Sequence, residues 1–177
     1  MRFKICVFLF FILLEFSQET YSQSENKSVK QKSTYQLHLI SPGFCTEQKL
    51  SPDFTAVFKA SLGMSFYYND RLHKNKLSLI FNQYISLELR EYTDLLTRQK
   101  RGKKTENFSG TYGAIRYSNG YYYLISENYY QIGPLIGLQR SLFKKFIFNI
   151  ECGVGVTVIN KSKNTGIIGD ISFGYVF

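Results

Sequence analysis

The chain contains few cysteines and histidines, which are common metal ligands, and no long apolar run beyond residue 22. Its 177 residues include no tryptophan, three prolines, three cysteines and two histidines. The histidines, His38 and His73, stand at no spacing to Cys, Asp or Glu that would form a metal site, so we expect no metal and no cofactor. Beyond residue 22, no apolar stretch reaches the roughly 18 residues that a membrane-spanning helix needs.

The abundant residue types favour β structure. The chain has 16 phenylalanines, 14 tyrosines and 13 glycines. Aromatic side chains favour strands, whereas glycine favours turns and places where two backbones approach closely. The composition therefore predicts an all-β fold.

The N-terminal residues are typical of an export signal. Arg2 and Lys4 precede an apolar run over residues 5–14, which is too short to cross a bilayer, and the small residues Thr20 and Ser22 suit a cleavage site. We predict a signal peptide over residues 1–22, an N-terminal extension over residues 23–34 and one β-barrel domain over residues 35–177.

Most of this domain alternates between apolar and polar side chains with a period of two. In residues 54–68, Phe54, Phe58 and Leu62 share one face and Lys59 lies on the other, as a strand requires. Further strands are predicted at residues 84–92, 110–117, 130–140, 146–158 and 166–177. Residues 35–49 form another, with a bend at Pro42, which cannot donate to a strand ladder.

Seven strands are found in this way, but bacterial single-chain barrels normally have an even number. We place the eighth strand either within residues 23–34 or within residues 121–125. Only helices and closed barrels pair every backbone group in hydrocarbon. The sequence therefore predicts a single antiparallel up-and-down transmembrane β-barrel of about eight strands.

Charged residues fall on the face opposite the apolar stripe. The lumen of an eight-stranded barrel is just wide enough to be filled by side chains, so inward charges must pair with one another. We predict a polar network across the lumen, made by Lys59, Glu88, Arg90, Arg116 and Glu151. The alternative is that some of these charges lie in water at the ends of the barrel.

The chain ends on an aromatic stripe formed by Phe173, Tyr175 and Phe177, with Ser172 and Gly174 on the other face. This ending resembles the last strand of bacterial outer-membrane barrels. The resemblance implies that the three aromatic residues are an assembly signal, which the barrel-assembly machinery reads.

Two further segments carry a second resemblance. Residues 85–92, followed by Leu95, Arg98 and residues 100–103, and later residues 132–140, resemble uncharacterised small outer-membrane barrels of the OmpA/OmpX type. This resemblance implies eight strands and no activity that could be transferred to this chain.

A basic segment lies in the connection over residues 93–108, which strand parity places on the periplasmic side. Its basic residues are Arg98, Lys100, Arg101, Lys103 and Lys104. Such a run is either a solvated turn or a docking surface for anionic envelope polymer or lipid headgroups. Nucleic acid is not expected as a partner of an exported chain.

Two cysteines, Cys45 and Cys152, remain after signal removal in an oxidising compartment. If they lie on strands that are not neighbours, they cannot approach closely enough to pair. We therefore favour two free, buried thiols over a disulfide.

The sequence favours an outer-membrane barrel with a structural or surface-interaction role and no catalysis. Outer-membrane lipid and lipopolysaccharide are the expected partners, and a monomer is the expected state. Contact regions are predicted at residues 69–76, 118–128 and 160–165. One alternative is a secreted soluble barrel that binds a small apolar ligand. Another is an outer-membrane lipid-modifying enzyme, in which His38 and Ser41 would be the nearest candidate pair.

Overall fold

The computed structural model describes residues 32–68, 77–123, 125–143 and 145–177. The signal peptide, residues 23–31 of the extension, the contact region 69–76 and His73 lie outside these residues. The eight described strands are β1 (Ser33–Ile40), β2 (Gly43–Lys49), β3 (Phe54–Tyr68), β4 (Leu77–Tyr92), β5 (Thr111–Tyr122), β6 (Glu127–Leu142), β7 (Phe146–Ile159) and β8 (Ser162–Val176).

Each strand pairs antiparallel with the next in chain order, and β8 returns to pair with β1. The result is a closed up-and-down barrel, which confirms the predicted all-β architecture and its strand number. The strand predicted at residues 54–68 matches β3, and the one at 146–158 is a residue short of β7. Strands β4, β5, β6 and β8 all extend beyond their predicted bounds.

The N-terminal strand predicted over residues 35–49 is wrong, because the chain reverses at Ser41 and Pro42. The bend expected at Pro42 is a tight turn between β1 and β2, with Ser41 at a φ of 55°. Leu37 pairs with Phe44 across this turn, so both lie on the outer face. The eighth strand therefore comes from dividing residues 35–49 and from neither predicted position.

Two of the predicted contact regions are shorter than expected. Residues 162–165 belong to β8, and the connection from β7 is the two-residue turn Asn160 and Lys161, both at positive φ. Such turns suit the right-handed twist of the strands that they join. The connection between β5 and β6 likewise spans only residues 123–126.

Apolar side chains cover the outside of the barrel, whereas the inside holds the buried polar and charged residues together with some apolar ones, such as Val57, Leu135 and Ile147. Phe54 is 45% exposed and Leu62 is 52% exposed, whereas Thr55 and Lys59 on the same strand are buried. Within the described residues, no helix has the length and apolar character needed to cross a membrane.

The connection between β4 and β5 folds over one end of the barrel, which we call the capped end. It contains the helix α1 (Leu95–Lys100) and a 3-10 turn (Glu106–Phe108). Leu95 and Phe108 are buried in an apolar cluster with Tyr92 and Tyr112. The segment is therefore a packed cap on its apolar side, while Lys100, Arg101, Lys103 and Lys104 of the basic run are exposed, as a solvated turn or a docking surface requires.

Candidate functional site: a polar network in the lumen

Strand register directs the network residues into the lumen. Antiparallel partners share a face, and Lys59 pairs with Ser86, Glu88 with Arg116, and Glu151 with Asp170. All of these side chains therefore lie on the inner face. The structure brings together the five network residues predicted from sequence, and each of them is at least 96% buried.

Arg90 bridges carboxylates that lie on different strands. Its Nη2 atom lies 2.7 Å from Glu88 Oε2 and 3.5 Å from Glu151 Oε2. Its Nη1 atom donates to Gln139 Oε1 at 2.9 Å, and its guanidinium lies 4.3 Å from the centre of the Tyr112 ring. Arg90 thereby links β4, β5, β6 and β7.

Glu151, like Glu88, contacts all three basic residues of the network. Its oxygens contact Arg116 and lie 3.4 Å from Lys59 Nζ. The hydroxyl of Tyr112 also donates to Glu151 Oε2 at 2.8 Å. Charge-assisted hydrogen bonds of this kind are about twice as strong as neutral ones, which offsets part of the cost of burying the charges.

Lys59 connects this centre to the side of the lumen formed by β8. Its Nζ atom donates to Asp170 Oδ2 at 2.9 Å and lies 4.0 Å from Glu88 Oε1. Tyr84 also donates to Asp170 Oδ2, at 3.4 Å. Asp170 is the most accessible of the network carboxylates, because 13% of its side chain remains exposed.

Glu47 belongs to the network but was not identified from the sequence. It accepts hydrogen bonds from Thr55 and Tyr92, each at 2.7 Å, and from Gln139 at 2.9 Å. Arg90 Nη1 lies 3.7 Å from Glu47 Oε2. A single strand over residues 35–49 would turn Glu47 to the outer face. The turn at Pro42 changes which positions face inward, so Glu47 points into the lumen.

The network is a dense set of ion pairs that ties most of the barrel strands together. Its carboxylates are Glu47, Glu88, Glu151 and Asp170, and its bases are Lys59, Arg90 and Arg116. Donors from Tyr and Gln side chains supplement the three bases. Such an arrangement occupies much of the lumen and favours the observed strand register.

His38 and Ser41, the candidate catalytic pair, lie in different elements. His38 is buried in the lumen, where its Nε2 atom is 3.2 Å from Gln36 Oε1. Ser41 lies in the turn after β1, and no His38–Ser41 hydrogen bond occurs among the described residues. Among all the residues that the structure describes, no group of three His, Cys, Asp or Glu side chains could hold a metal ion.

Most basic residues of the cap are exposed, and hydrogen bonds of Asp94 and Asn107 hold the segment on the barrel. Asp94 accepts a hydrogen bond from the Thr111 backbone at 2.6 Å, and the Asn107 side chain donates to Ser141 at 3.2 Å. Arg98 donates to the Lys104 carbonyl at 3.3 Å. The exposed basic side chains here are Lys100, Arg101, Lys103 and Lys104.

The C-terminal aromatic residues lie side by side on the outer wall. Phe173 stacks on Phe146 with ring centres 5.4 Å apart, and Tyr175 contacts both Phe146 and Phe177 edge-on. Both described cysteines are free. Cys45 is buried as predicted, whereas Cys152 is exposed on the outer wall, so the prediction of a second buried thiol is wrong.

Comparison with known proteins gives no relatives. No protein-family model matches the chain, and no match was found among curated proteins or solved structures. The resemblance to small outer-membrane barrels of the OmpA/OmpX type therefore stays a prediction.

Proposed function

We propose that the chain is an outer-membrane β-barrel protein with a structural or surface-interaction role and a lumen filled by side chains. The observation that carries this proposal is the distribution of polarity, with apolar side chains outside and buried ion pairs inside. A soluble barrel that carries an apolar ligand would have the opposite arrangement, since its apolar stripes would line the interior.

The outer wall carries an apolar band of the height that a membrane requires. Among outward positions whose side chains are described, the charged residues are Glu91, Arg140 and Lys163, all within three residues of a strand end. On β7, every outward residue from Phe146 to Val158 is apolar. At about 3.3 Å per residue and a tilt of about 45°, this run spans about 28 Å, close to the band of known barrels.

The expected partners follow from this location. Outer-membrane lipid would contact the apolar band, and lipopolysaccharide would meet the rim opposite the cap. The aromatic stripe of Phe173, Tyr175 and Phe177 supports recognition by the barrel-assembly machinery. The exposed lysines of the cap would face the periplasm, where anionic polymer or headgroups are available.

Cell fractionation combined with gel electrophoresis tests the proposal. We expect the protein in the outer-membrane fraction, and we expect the unboiled sample to migrate faster than the boiled one. Recovery in the soluble periplasm or the culture fluid would contradict the membrane location.

A matched pair of variants tests the orientation of the wall. Leu87 is exposed in the middle of the band, whereas Glu91 lies on the same face of β4 near its end. Leu87→Arg should reduce the free energy of folding into lipid vesicles by roughly 2–4 kcal/mol, and Glu91→Arg by about 1 kcal/mol or less. Equal effects would indicate that the wall does not face hydrocarbon.

A further inference from the structure

The barrel wall is incomplete at the end opposite the cap. Strands β1 and β2 have 8 and 7 residues, whereas the other six strands have 12–16. In the described part of the chain, residues 162–172 of β8 pair with β7 but have no partner on the side of β1. Residues 63–68 of β3 likewise lack a partner on the side of β2. We call the space between these two edges, beyond the Ser41–Pro42 turn, the lateral gap.

The lateral gap has the width of the strands that are missing from it. At its base, β1 and β2 stand between the edges of β8 and β3. Neighbouring strands lie about 4.8 Å apart, so the two edges are separated by about three such spacings, or roughly 14 Å along the wall. The gap therefore has room for one or two extended segments of polypeptide.

The edge of β8 presents a regular row of backbone donors and acceptors to the gap. Phe177 N donates to Tyr35 O at 3.1 Å, on the side of β1. Val176 N donates to Lys145 O at 2.7 Å, on the side of β7. Successive residues of an antiparallel strand alternate in this way, and the register of β8 with β7 contains no bulge. The N–H and C=O groups of the odd-numbered residues from 163 to 171 therefore point into the gap.

This free edge lies at the depth of the apolar band. Ile167 pairs with Val154, which belongs to the apolar outer wall of β7. Ile171 pairs with Ile150 of the same wall. Within hydrocarbon, an unpaired N–H or C=O group costs several kcal/mol. Acyl chains offer no hydrogen bonds and lipid esters have no donor, whereas another peptide backbone supplies donors and acceptors in alternation at the spacing of the edge.

The lumen beside this edge carries an excess negative charge. The network has four carboxylates and three bases, so one negative charge remains when His38 is neutral. Asp170 lies on β8 and is the network carboxylate with the most accessible side chain. Its backbone groups face β7, so an added strand would bring a side chain directly opposite it, in the closer, non-hydrogen-bonded type of pair. A basic side chain at that position would compensate the excess charge.

The edge is open to pairing but selective. Between Asn164 and Ser172 it contains no lysine or proline, which commonly protect the free edges of sheets. The inward charge of Asp170 instead disfavours a strand that brings an apolar or acidic side chain opposite it. Space for inward side chains is available, because a carbon added at Gly166 would meet no atom within 4 Å.

We propose that the lateral gap binds an extended segment of a partner protein, which adds to β8 as an antiparallel strand. The backbone of this segment completes the ladder, and its apolar side chains continue the outer wall beside Ile167 and Ile171. A lysine or arginine of the segment faces Asp170. This inference rests on the proposed membrane location, since that location keeps bulk water away from the edge.

Synthetic peptides with backbone groups blocked at alternate residues test the proposal. The probe is a short fluorescein-labelled peptide in which valine alternates with threonine and one lysine replaces a threonine. Its binding to the full-length mature protein, folded in detergent micelles, is measured by fluorescence anisotropy. Because outward side chains such as that of Ile167 belong to residues whose N–H groups face the gap, the valines of the probe make the bonds to β8.

Methylation of the valine nitrogens should weaken binding at least about tenfold, whereas methylation of the threonine nitrogens should change it by less than about twofold. A probe with glutamate in place of lysine should bind roughly tenfold more weakly to the wild-type protein. Asp170→Asn should remove this difference between the lysine and glutamate probes.

A proline substitution on β8 provides the matched test on the barrel. Ile167→Pro removes an N–H group that faces the gap and keeps every bond to β7, and a sheet edge tolerates proline at such a position. This variant should fold, as judged by faster migration of the unboiled sample, and should bind the probe at least about tenfold more weakly. If it does not fold, the two methylated probes still decide the question on the wild-type protein.

Equal binding of the two methylated probes, or equal binding of the probe to wild type and folded Ile167→Pro, would overturn the inference. So would a folded barrel that does not bind the unmodified probe, as expected if water fills the gap. A chain that never acquires the faster gel mobility in micelles or lipid would instead contradict the membrane location itself.

Discussion

Glu88 and Arg116 lie directly opposite each other on β4 and β5, and Arg116 Nε donates to Glu88 Oε1 at 2.8 Å. A shift of one residue in this strand pair would turn one of the two side chains to the outer wall. There a charge would face the apolar band without its partner. The pair therefore couples the register of the central strands to the chemistry of the lumen.

Loss of Arg90 should destabilise the barrel more than loss of any surface arginine. Arg90→Leu leaves Glu88, Glu47 and Glu151 without a shared base, and breaking a buried ion pair in this way costs about 3–5 kcal/mol. The free energy of unfolding in detergent micelles, measured with urea, checks this expectation. Arg101→Leu, on the exposed cap, serves as control and should change it by less than about 0.5 kcal/mol. Similar values for both variants would show that the network contributes little.

Gly137 is required because the Tyr112 ring covers it. The two residues are cross-strand partners, and a side-chain carbon at Gly137 would collide with that ring. Gly137→Ala should displace Tyr112 from beneath Arg90 and cost roughly 1–3 kcal/mol of unfolding free energy. Gly113→Ala is the matched control on the outer face, where no atom lies within 4 Å, and it should be close to neutral. A neutral Gly137→Ala would contradict the packing described for Tyr112.

The two described thiols should differ in reactivity. Cys152 is exposed on the outer wall, whereas Cys45 faces the lumen and is 3% exposed. In lipid vesicles, a membrane-permeable maleimide should label one thiol per mature chain, and unfolding in urea should expose the second. Cys152→Ser should remove the label in the folded state, which mass spectrometry can measure. Rapid labelling of Cys45 in the folded barrel would show that the lumen is open.

The C-terminal aromatic residue should matter for assembly and have little effect on stability. Phe177 and Phe143 are 76% and 86% exposed, so neither contributes much burial. Deletion of Phe177 should lower the amount of folded protein in the outer membrane severalfold, while refolding into detergent stays unchanged. Phe143→Ala, in the turn between β6 and β7, should have no effect on either measurement. Equal yields of the two variants in cells would argue against an assembly signal.

The sequence predicts β3 and β7 well because their alternation is uninterrupted over ten or more residues. It fails at β1 and β2, where Tyr35, Leu37 and Leu39 place the outer face on odd positions and Phe44 places it on an even one. This change of phase indicates a turn. The turn divides the segment into two strands and directs Glu47 inward.

The packed cap, which the sequence does not predict, depends on contacts between residues that are far apart in the chain. The network residues on β3, β4, β5 and β7 were identified from phase alone, since every inward charge must find a partner in a narrow lumen. The cap could not be identified in this way, because Leu95, Leu96 and Phe108 are the few apolar residues of a polar segment without strand alternation. The burial of Leu95 and Phe108 depends on Tyr92 and Tyr112 at the ends of neighbouring strands.

The packed cap determines whether molecules can pass through the barrel. Leu95 and Phe108 close one end of the barrel, and ion pairs occupy its middle. The described residues therefore leave no open channel through the barrel. Such a barrel does not conduct molecules from one end to the other.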